Sequence, residues 1–397
     1  MKTLGTKRID VKKHNRGQIL KLIATGTCNN RVELVAHMGM TKMAITNMVS
    51  ELADKGLVKE GGVDQCDGVG RNPISLRIPS GAPNTIGILI LRDRCEAVLC
   101  DFYLNVRHRK TIMLQQPDKR ELISIIYALT DAMLEYEKNI LGIGISSIGP
   151  IDFDRGMILN PPYFYGIHDI PVASLLEDRY SLPVFMDHDN QSAALAELLY
   201  GNGKNRDSFM LLGIARGVGC GIVKNGALYV DSRKLAPEVG HVSIDYRGKK
   251  CICGNRGCLE LYVNTDEILG RLRKATGQSL SFAGFCQMKE TDRMCEIFED
   301  VTEKITSALV STVNLLNLDL VLLGYDGVHL PEKYVKQLED GINEFKFARD
   351  RSRTGVKRAY FGEDSQLLGA VCNVLNQVYS PGSENVTLPS SVPSAGT

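Results

Sequence analysis

Three cysteines and a histidine lie close together in the sequence, in a pattern typical of a metal site. Cys251, Cys253 and Cys258 follow the spacing C-x-C-x4-C, and His241 stands ten residues before the first of them. Three thiolates and one imidazole complete the tetrahedral ligand set of structural zinc. Cysteines within so polar and glycine-containing a stretch would make a poor hydrophobic core, so reduced buried thiols are the weaker interpretation. The spacing therefore predicts a closed, structural zinc site.

The leading 80 residues carry an excess of positive charge that the whole chain conceals. They contain 13 Lys and Arg against 7 Asp and Glu, whereas the formal net charge of all 397 residues is only +1. A basic leading segment ahead of a slightly acidic body favours a module that meets a polyanion. A basic N-terminus can also be merely solvated, so positive charge alone does not identify a module that binds a polyanion.

Apolar residues at helical spacing predict three short helices in this basic segment. Ile19, Leu22 and Ile23 mark the first helix, Gly39 ends the second, and Thr41 caps the third. The buried faces of the second and third helices are predicted from Val32, Val35 and Ala36, and from Ile45, Met48, Val49 and Leu52. The short link between the second and third helices suits a helix-turn-helix.

The polar face of the third helix and the strands after it favour DNA as the polyanion. Residues 57–60 and 74–78 are strand-like and flank a Gly-rich loop, which together predict a wing with Arg71 at its tip. Short polar side chains on a helix can reach base edges in a major groove, and an extended Arg can enter a minor groove. A helical module for protein contacts is the alternative. The predicted DNA-binding residues are Thr41, Lys42, Thr46, Asn47, Ser50 and Arg71.

The remaining chain alternates strand-like and helical stretches, which predicts α/β architecture. We expect a winged helix-turn-helix domain at residues 1–80, an α/β domain at 84–375 after a turn-rich linker, and a disordered Ser- and Pro-rich tail at 380–397. Apolar runs fall short of the ~20 residues that a membrane-spanning helix needs. Without a recognisable export signal, we expect a cytoplasmic protein with no membrane partner, in which the eleven cysteines stay reduced.

Several motifs of the α/β region resemble the ROK family (repressor, open reading frame, kinase). EVGH at 238–241 and CICGNRGCLE at 251–260 carry the most specific likeness, and residues 142–164, 187–197 and 215–229 extend it. The resemblance implies a two-lobed, actin-like or hexokinase-like (ribonuclease H-like) domain. Together with the winged helix, it is similar to the repressor branch of the family, which includes xylose and N-acetylglucosamine repressors.

The same resemblance implies a carbohydrate site. It places Glu238, His241 and Glu260 on sugar hydroxyls, and Asp189 at the position of the kinase's catalytic base. Zinc on one ring nitrogen of His241 would then orient the other nitrogen toward the ligand. Asp189 could instead cap the helix that follows it, and both glutamates could be surface charges.

Two departures from the family pattern bear on the ligand. His188 replaces an Asn that binds a sugar hydroxyl in the family, and Pro237 replaces a Gly before Glu238. Imidazole can still donate or accept a hydrogen bond, so His188 remains a predicted ligand-binding residue, but it is bulkier and could exclude a common hexose. These changes leave open which sugar binds, and whether any does.

The turns that hold ATP in the family's kinases are altered. Where kinases carry DxGGT, residues 91–95 read LRDRC, and where they carry GTGxG, residues 215–219 read ARGVG. A later Gly-Gly pair appears as Gly324-Tyr325. Because glycine lets backbone N–H groups close on phosphate oxygens, these losses predict that ATP is not bound and that kinase activity is lost.

These observations predict a carbohydrate-responsive transcriptional regulator, acting as a repressor by resemblance. A homodimer or a dimer of dimers would bind a palindromic double-stranded DNA operator, and a small carbohydrate effector would change the affinity for DNA. One alternative is a sugar kinase with an added DNA-binding domain, which Asp189 favours. Another is a DNA-binding protein whose α/β domain is only a dimerisation scaffold.

Overall fold

The computed structural model describes residues 8–63, 74–230 and 235–380. The chain forms two units, one of residues 1–187 and 370–397 and the other of residues 188–369. The predicted disordered tail falls, from residue 381 onward, outside the described residues. In the described ranges, no helix is both long and apolar enough to cross a membrane.

The first unit begins with a helical module and continues into a mixed sheet. Its helices are α1 (Arg8–Ala24), α2 (Arg31–Met38), α3 (Lys42–Asp54), α4 (Lys119–Tyr136) and α5 (Val172–Tyr180). Its strands are β1 (Lys59–Val63), β2 (Ile74–Arg77), β3 (Asn84–Ile90), β4 (Arg94–Cys100), β5 (Val106–Met113), β6 (Ile140–Ser147), β7 (Ile151–Asp152), β8 (Met157–Ile158) and β9 (Val184–His188).

The helical module has the predicted winged helix-turn-helix arrangement. Gly39 ends α2 in the left-handed conformation (φ 62°), and the Thr41 hydroxyl accepts a hydrogen bond from the Ala44 amide to cap α3. Strands β1 and β2 pair antiparallel and form the base of a wing. The buried stripe of α3 is Ile45, Met48, Val49 and Leu52, as the sequence predicts.

The second helix differs from the prediction in the residue that it buries. Leu34 is buried, whereas Val32 is 66% exposed. The Asn30 side chain accepts hydrogen bonds from the amides of Val32 and Glu33, so the helix begins at Arg31. Packing against the rest of the module selects which side of this two-turn helix faces the core, and the spacing of three apolar candidates did not determine that side.

The module is joined to the sheet of the first unit and to the end of the last helix. The Ile78 amide donates to the Tyr103 hydroxyl at 2.7 Å, just before β5. Near the middle of α1, the Gln18 side chain donates to the Tyr379 carbonyl at 2.8 Å, at the C-terminus of α12 (Ser365–Tyr379). A Cβ at Gly17 would meet the Val378 carbonyl, so the glycine permits close approach of these two helices.

The sheet of the first unit has the strand order β5-β4-β3-β6-β9. Strands β3, β4 and β5 pair antiparallel, and β3 pairs with β6 in parallel. Residues 84–100 therefore form a hairpin of two strands rather than one long strand. The turn at residues 91–93 reads LRD and lacks the Gly or Asn that usually marks a two-residue hairpin, so residue pattern alone does not separate the two strands.

The second unit repeats the same strand order in its own sheet, β12-β11-β10-β13-β14. The strands are β10 (Ser208–Ile214), β11 (Val218–Lys224), β12 (Ala227–Leu228), β13 (Leu320–Tyr325) and β14 (Gly355–Arg358). The helices are α6 (Asp189–Tyr200), α7 (Glu260–Val263), α8 (Thr265–Thr276), α9 (Phe282–Gln287), α10 (Asp292–Leu316) and α11 (Glu332–Phe345). Strands β10, β13 and β14 run parallel, and β11 and β12 continue antiparallel.

Apolar cores lie on both faces of this second sheet. A large cluster joins the sheet to α8–α11 and includes Phe298, Leu309 and Leu338, each fully buried. A smaller cluster on the opposite face contains Ala193 and Ala194 of α6 with Phe209 and Leu211 of β10. Small residues on α6 allow this helix to pack closely on the sheet, which places its N-terminal residues beside the ends of β10 and β13.

Candidate functional site

The predicted metal ligands come together in the second unit. The ligand atoms of His241, Cys251, Cys253 and Cys258 all lie within 4.8 Å of one another. The Cys251 sulfur is 3.6 Å from His241 Nδ1, and the sulfurs of Cys253 and Cys258 are 3.7 Å apart. Around one tetrahedral zinc ion, ordinary bond lengths give S–N and S–S separations of about 3.6 and about 3.8 Å. The four residues therefore form a group whose geometry fits zinc.

Tight backbone turns hold this group. Gly254 and Gly257 have φ values of 95° and 65°, which other residues rarely adopt. The Cys251 amide donates to the Asn255 carbonyl at 2.8 Å, and the Gly257 amide donates to the Lys249 carbonyl at 2.8 Å. The two glycines thus make the reversals that bring the thiols together.

Asp189 is buried and heavily hydrogen-bonded at the start of α6. Its Oδ1 accepts from His188 Nδ1 at 2.9 Å and from the Asn190 amide at 2.7 Å, and its Oδ2 accepts from the Tyr325 hydroxyl. Burial alone would raise the pKa of Asp189. The neighbouring His188, the Tyr325 hydroxyl and the Asn190 amide outweigh burial and lower that pKa below its usual value. This carboxylate is held ionised and supplied with donors.

His188 stands at the N-cap position of α6, one residue before Asp189, which is the residue expected to cap the helix in the capping alternative. The Asn190 amide lies 2.7 Å from the Asp189 carboxylate but 3.4 Å from His188 Nδ1. The shorter contact satisfies the amide, which leaves Nδ1–H to donate to Asp189. Asp189 therefore accepts from donors of its own helix start and from the Tyr325 hydroxyl of a distant strand, so capping alone does not describe its environment.

Glu238 is influenced by the other predicted ligand-binding residues. Glu238 is exposed, but the neighbouring protein raises its pKa by reducing its hydration. Desolvation is the main cause of this rise in the Glu238 pKa; the neighbouring His188 and His241 oppose it, and the carboxylates of Asp189 and Glu260 add to it. The four other predicted ligand-binding residues therefore all lie within electrostatic reach of Glu238 in the second unit.

Glu260 also contacts the altered turn between β10 and β11. Its Oε2 accepts a hydrogen bond from the Val218 amide at 3.1 Å, so it is more than a solvated surface charge. In the same turn, the Ala215 amide donates to the Gly217 carbonyl at 2.9 Å. Arg216 is exposed, and its Nε lies 3.8 Å from the Asp266 carboxylate. Two backbone amides of this turn are thus committed to groups of the protein.

The other altered turn, between β3 and β4 of the first unit, is also engaged by the chain itself. Arg92 Nε donates to the Pro162 carbonyl at 3.0 Å. The Tyr165 hydroxyl donates to the Arg92 carbonyl at 2.7 Å. The loop that carries Pro162 and Tyr165 therefore contacts both the side chain and the backbone of Arg92.

Tyr325 is a functional candidate that sequence reasoning did not select. It ends β13 with φ 52° and ψ −133°, a conformation suited to glycine, and its hydroxyl reaches Asp189. Such a conformation costs a bulky residue about 1–3 kcal/mol. The available signal was the replacement of the second glycine of a Gly-Gly pair, which the sequence shows, but the target of the hydroxyl depends on the fold.

The predicted DNA-binding residues that the structure describes share one open face of α3. Thr41, Lys42, Thr46, Asn47 and Ser50 are all exposed, opposite the buried stripe of the helix. Met43 is 76% exposed between them, and the sequence analysis did not select it. An apolar side chain at this place can contact a thymine methyl group in a major groove. Arg71 lies outside the described residues.

Comparison with known proteins agrees with this architecture. A model of the ROK family matches residues 85–377. The xylose repressor of Caldicellulosiruptor bescii is 25% identical over 390 residues, covering 93% of this chain and 97% of that protein. The xylose repressor of Bacillus subtilis (strain 168) is 32% identical over 273 residues, covering 66% of this chain and 69% of that protein.

A solved structure extends the likeness to the whole fold. The crystal structure of a ROK family transcriptional regulator, a homologue of the Escherichia coli Mlc protein, superposes with a TM-score of 0.79. It is 21% identical and covers 94% of this chain and 98% of that chain, so it includes the winged helix module. Since the family model spans most of the sequence and the fold agrees, the chain belongs to the ROK family.

Proposed function

We propose that this protein is a DNA-binding transcriptional repressor whose affinity for DNA responds to a small carbohydrate. The observation that carries the proposal is the exposed polar face of α3, in a winged helix module attached to a ROK domain. Relatives with the same arrangement over nearly their whole length are named xylose repressors. Because its proposed target is DNA, we expect the protein to act in the cytoplasm.

Residues 1–80 form the DNA-binding module in this proposal, and residues 84–375 form the sensor. Lys42 stands at the N-terminus of α3, where its charge and the helix dipole both favour a phosphate. Asn47 is also exposed, five residues further along α3, and can pair with an adenine edge. A homodimer would present two such helices to a palindromic operator, and Arg71 in the wing would add a minor-groove contact.

The sensor binds its carbohydrate through the polar cluster of the second unit. Glu238 and Glu260 offer carboxylate oxygens to adjacent hydroxyls, while His188 and His241 offer ring nitrogens. Asp189 lies among them with its charge maintained by hydrogen bonds. We use D-xylose as the first candidate because of the names of the relatives.

His241, Cys251, Cys253 and Cys258 would hold structural zinc. The ion would supply four short bonds that fix the segment between Glu238 and Glu260. With Nδ1 of His241 facing the Cys251 sulfur, the ring orientation directs Nε2 away from the thiols. These residues therefore position the carbohydrate-binding groups on either side of them.

We infer that kinase activity has been lost. In the turn between β10 and β11, the amides of Ala215 and Val218 bond to the protein instead of facing outward to a phosphate. Tyr325 adds a ring where family kinases have glycine. Asp189 keeps the position of a catalytic base, and this observation favours a sugar kinase with an added DNA-binding domain as the alternative function.

A route from sensor to DNA-binding module follows one helix. α12 begins at Ser365 in the second unit and ends at Tyr379 in the first. Its last residues contact α1 through the Gln18–Tyr379 hydrogen bond and the close approach at Gly17. A ligand that favours one placement of the start of α12 would thereby bias the placement of α1.

The experiment is anisotropy of labelled DNA from upstream of the protein's own coding sequence. Affinity is measured between about 50 and about 200 mM salt, with and without D-xylose, and should fall roughly 10³-fold or more if several phosphates are contacted. Lys42→Ala should reduce the logarithmic salt slope by about one unit. Lys336→Ala, on the exposed face of α11, is the control and should leave the slope unchanged.

Other outcomes assign the alternatives. Tight binding that no sugar of a panel alters would favour a scaffold that does not sense a ligand. Absence of specific DNA binding would contradict the proposal. ADP release with a sugar at about one turnover per second or faster would establish the kinase instead.

A further inference from the structure

The hydroxyl of Tyr325 contacts the carboxylate that resembles a catalytic base. Asp189 Oδ2 accepts from this hydroxyl, while Oδ1 accepts from His188, from the Asn190 amide and from the Asn190 side chain at 3.0 Å. A carboxylate offers about four acceptor sites in all. The protein itself therefore supplies donors to both oxygens before a ligand arrives.

The backbone shows that the tyrosine occupies a place made for a residue without a side chain. Tyr325 has a positive φ of 52°. Its ring lies beside Gly213 of β10, where an added Cβ would come within 2.8 Å of ring atom Cδ2 and would also meet Asn190. A strained bulky residue persists only where the surroundings determine its conformation. The glycine of β10 leaves the room that the ring needs.

We propose that Tyr325 is a positioning residue of the sensor, whose hydroxyl stands in for a carbohydrate hydroxyl on Asp189 and is displaced when the ligand binds. This inference rests on the proposed carbohydrate-sensing function. The lowered basicity of an ionised, donor-rich Asp189 agrees with it, because such a group binds a hydroxyl without removing its proton. With Tyr325 in place, Asp189 would exchange one hydroxyl donor for another instead of removing a proton from the ligand.

Displacement of Tyr325 would reach the start of α12 through described contacts. The chain continues from Tyr325 directly into the short helical turn Asp326–His329. In that turn, His329 contacts the Glu363 carboxylate, two residues before α12 begins. Arg358 also donates to the Val328 carbonyl at 2.8 Å. A movement of the tyrosine ring is therefore coupled to the segment that precedes α12.

The first test needs no ligand. Unfolding of the full-length protein in urea is measured for Tyr325→Phe, Asp189→Asn and the double variant, in a double-mutant cycle. Phenylalanine keeps the ring and the strained backbone, so it removes only the hydroxyl. We expect the two substitutions to be non-additive, with a coupling of about fivefold or more in the unfolding equilibrium constant. Additive effects would overturn the proposal.

The second test uses D-xylose as the probe in calorimetry on the same proteins. Removing an internal donor from Asp189 leaves that acceptor to the ligand, so Tyr325→Phe should bind D-xylose about tenfold more tightly, the typical effect of one charge-assisted hydrogen bond. Weaker or equal binding by Tyr325→Phe would overturn the proposal, since it would make the hydroxyl a ligand contact or a bystander. Tyr360→Phe, at an exposed tyrosine of the same unit, is the control and should change neither measurement.

The two tests separate this inference from the proposed function. If D-xylose binds neither protein, carbohydrate sensing fails for this sugar. In that case the double-mutant cycle still tests the hydrogen bond between Tyr325 and Asp189. Coupling between the two substitutions supports the proposal, and additive effects overturn it. If D-xylose binds the wild type and DNA affinity responds, the sign of the Tyr325→Phe effect alone decides whether the hydroxyl competes with the ligand.

Discussion

Replacement of Cys253 by serine is the sharpest test of the metal site. Cys253 is exposed, whereas Cys251 and Cys258 are 3% and 0% exposed. Serine at either buried position would also bury a hydroxyl, and this would destabilise the protein without any metal. At Cys253 the substitution removes a thiolate donor and little else. Loss of metal is then the main expected consequence.

The size of the expected fall in melting temperature follows from the free energy with which the four ligands would bind zinc. A ligand bound a thousandfold above its dissociation constant stabilises a fold by about 4 kcal/mol. For a unit the size of residues 188–369, each kcal/mol moves the melting temperature by roughly 2–4 °C. Losing zinc should therefore lower the melting temperature of the second unit by about 10 °C. The helices α1–α3 lie in the first unit and should stay folded.

The assay combines zinc content of the purified protein with calorimetric unfolding. Wild type should contain close to one zinc per chain, and Cys253→Ser should contain little. Cys286→Ser is the matched control, because Cys286 lies in α9 outside the group of four. Full zinc content in Cys253→Ser would refute the ligand assignment. An equal drop in melting temperature for Cys286→Ser would show that general loss of a thiol explains the effect.

Two further predictions concern the first unit. Burial alone would raise the pKa of Glu96, but Arg94 and Arg109 lower it below its usual value. The unfolded chain therefore binds more protons in acid, so the stabilisation from Glu96 is complete at neutral pH and declines as the pH falls through the lowered pKa. Glu96→Gln should flatten the fall in unfolding free energy between about pH 5 and about pH 3, as measured in urea. Gly17→Ala would press α1 against the Val378 carbonyl and should weaken DNA binding or its ligand response in the anisotropy assay, whereas Gly270→Ala, with open space around it, should not.

The helical module could be predicted in detail where local signals agreed. Thr41 as a cap, Gly39 in the left-handed region and the buried stripe of α3 all follow from residue chemistry at fixed spacing. The buried face of α2 could not be predicted, because a helix of two turns offers several apolar candidates and only contact with the rest of the module selects among them. The hairpin of β3 and β4 could not be predicted because its turn contains neither Gly nor Pro nor Asn, and its one Asp is not followed by Gly.

The candidate site likewise contains residues whose proximity the sequence predicts and contacts that only the fold shows. Cys251, Cys253 and Cys258 lie within eight residues of each other, so their spacing alone constrained them to meet. The contact of Tyr325 with Asp189 joins residues 136 positions apart, at the ends of a strand and a helix that the fold brings together. The departure from Gly-Gly marked the position as altered. Only the parallel pairing of β10 with β13 shows what the new side chain reaches.

Two hydrogen bonds connect altered turns of the chain with the proposed carbohydrate site. A turn whose backbone amides do not bind phosphate needs other acceptors for them, and a tyrosine in the place of glycine brings a hydroxyl donor of its own. Here the Val218 amide finds the Glu260 carboxylate, and the Asp189 carboxylate finds the Tyr325 hydroxyl. Both acceptors belong to the proposed carbohydrate site. These turns would thus be tied to the groups proposed to recognise the ligand, and a ligand that exchanges one of these hydrogen bonds would change the turn at its other end.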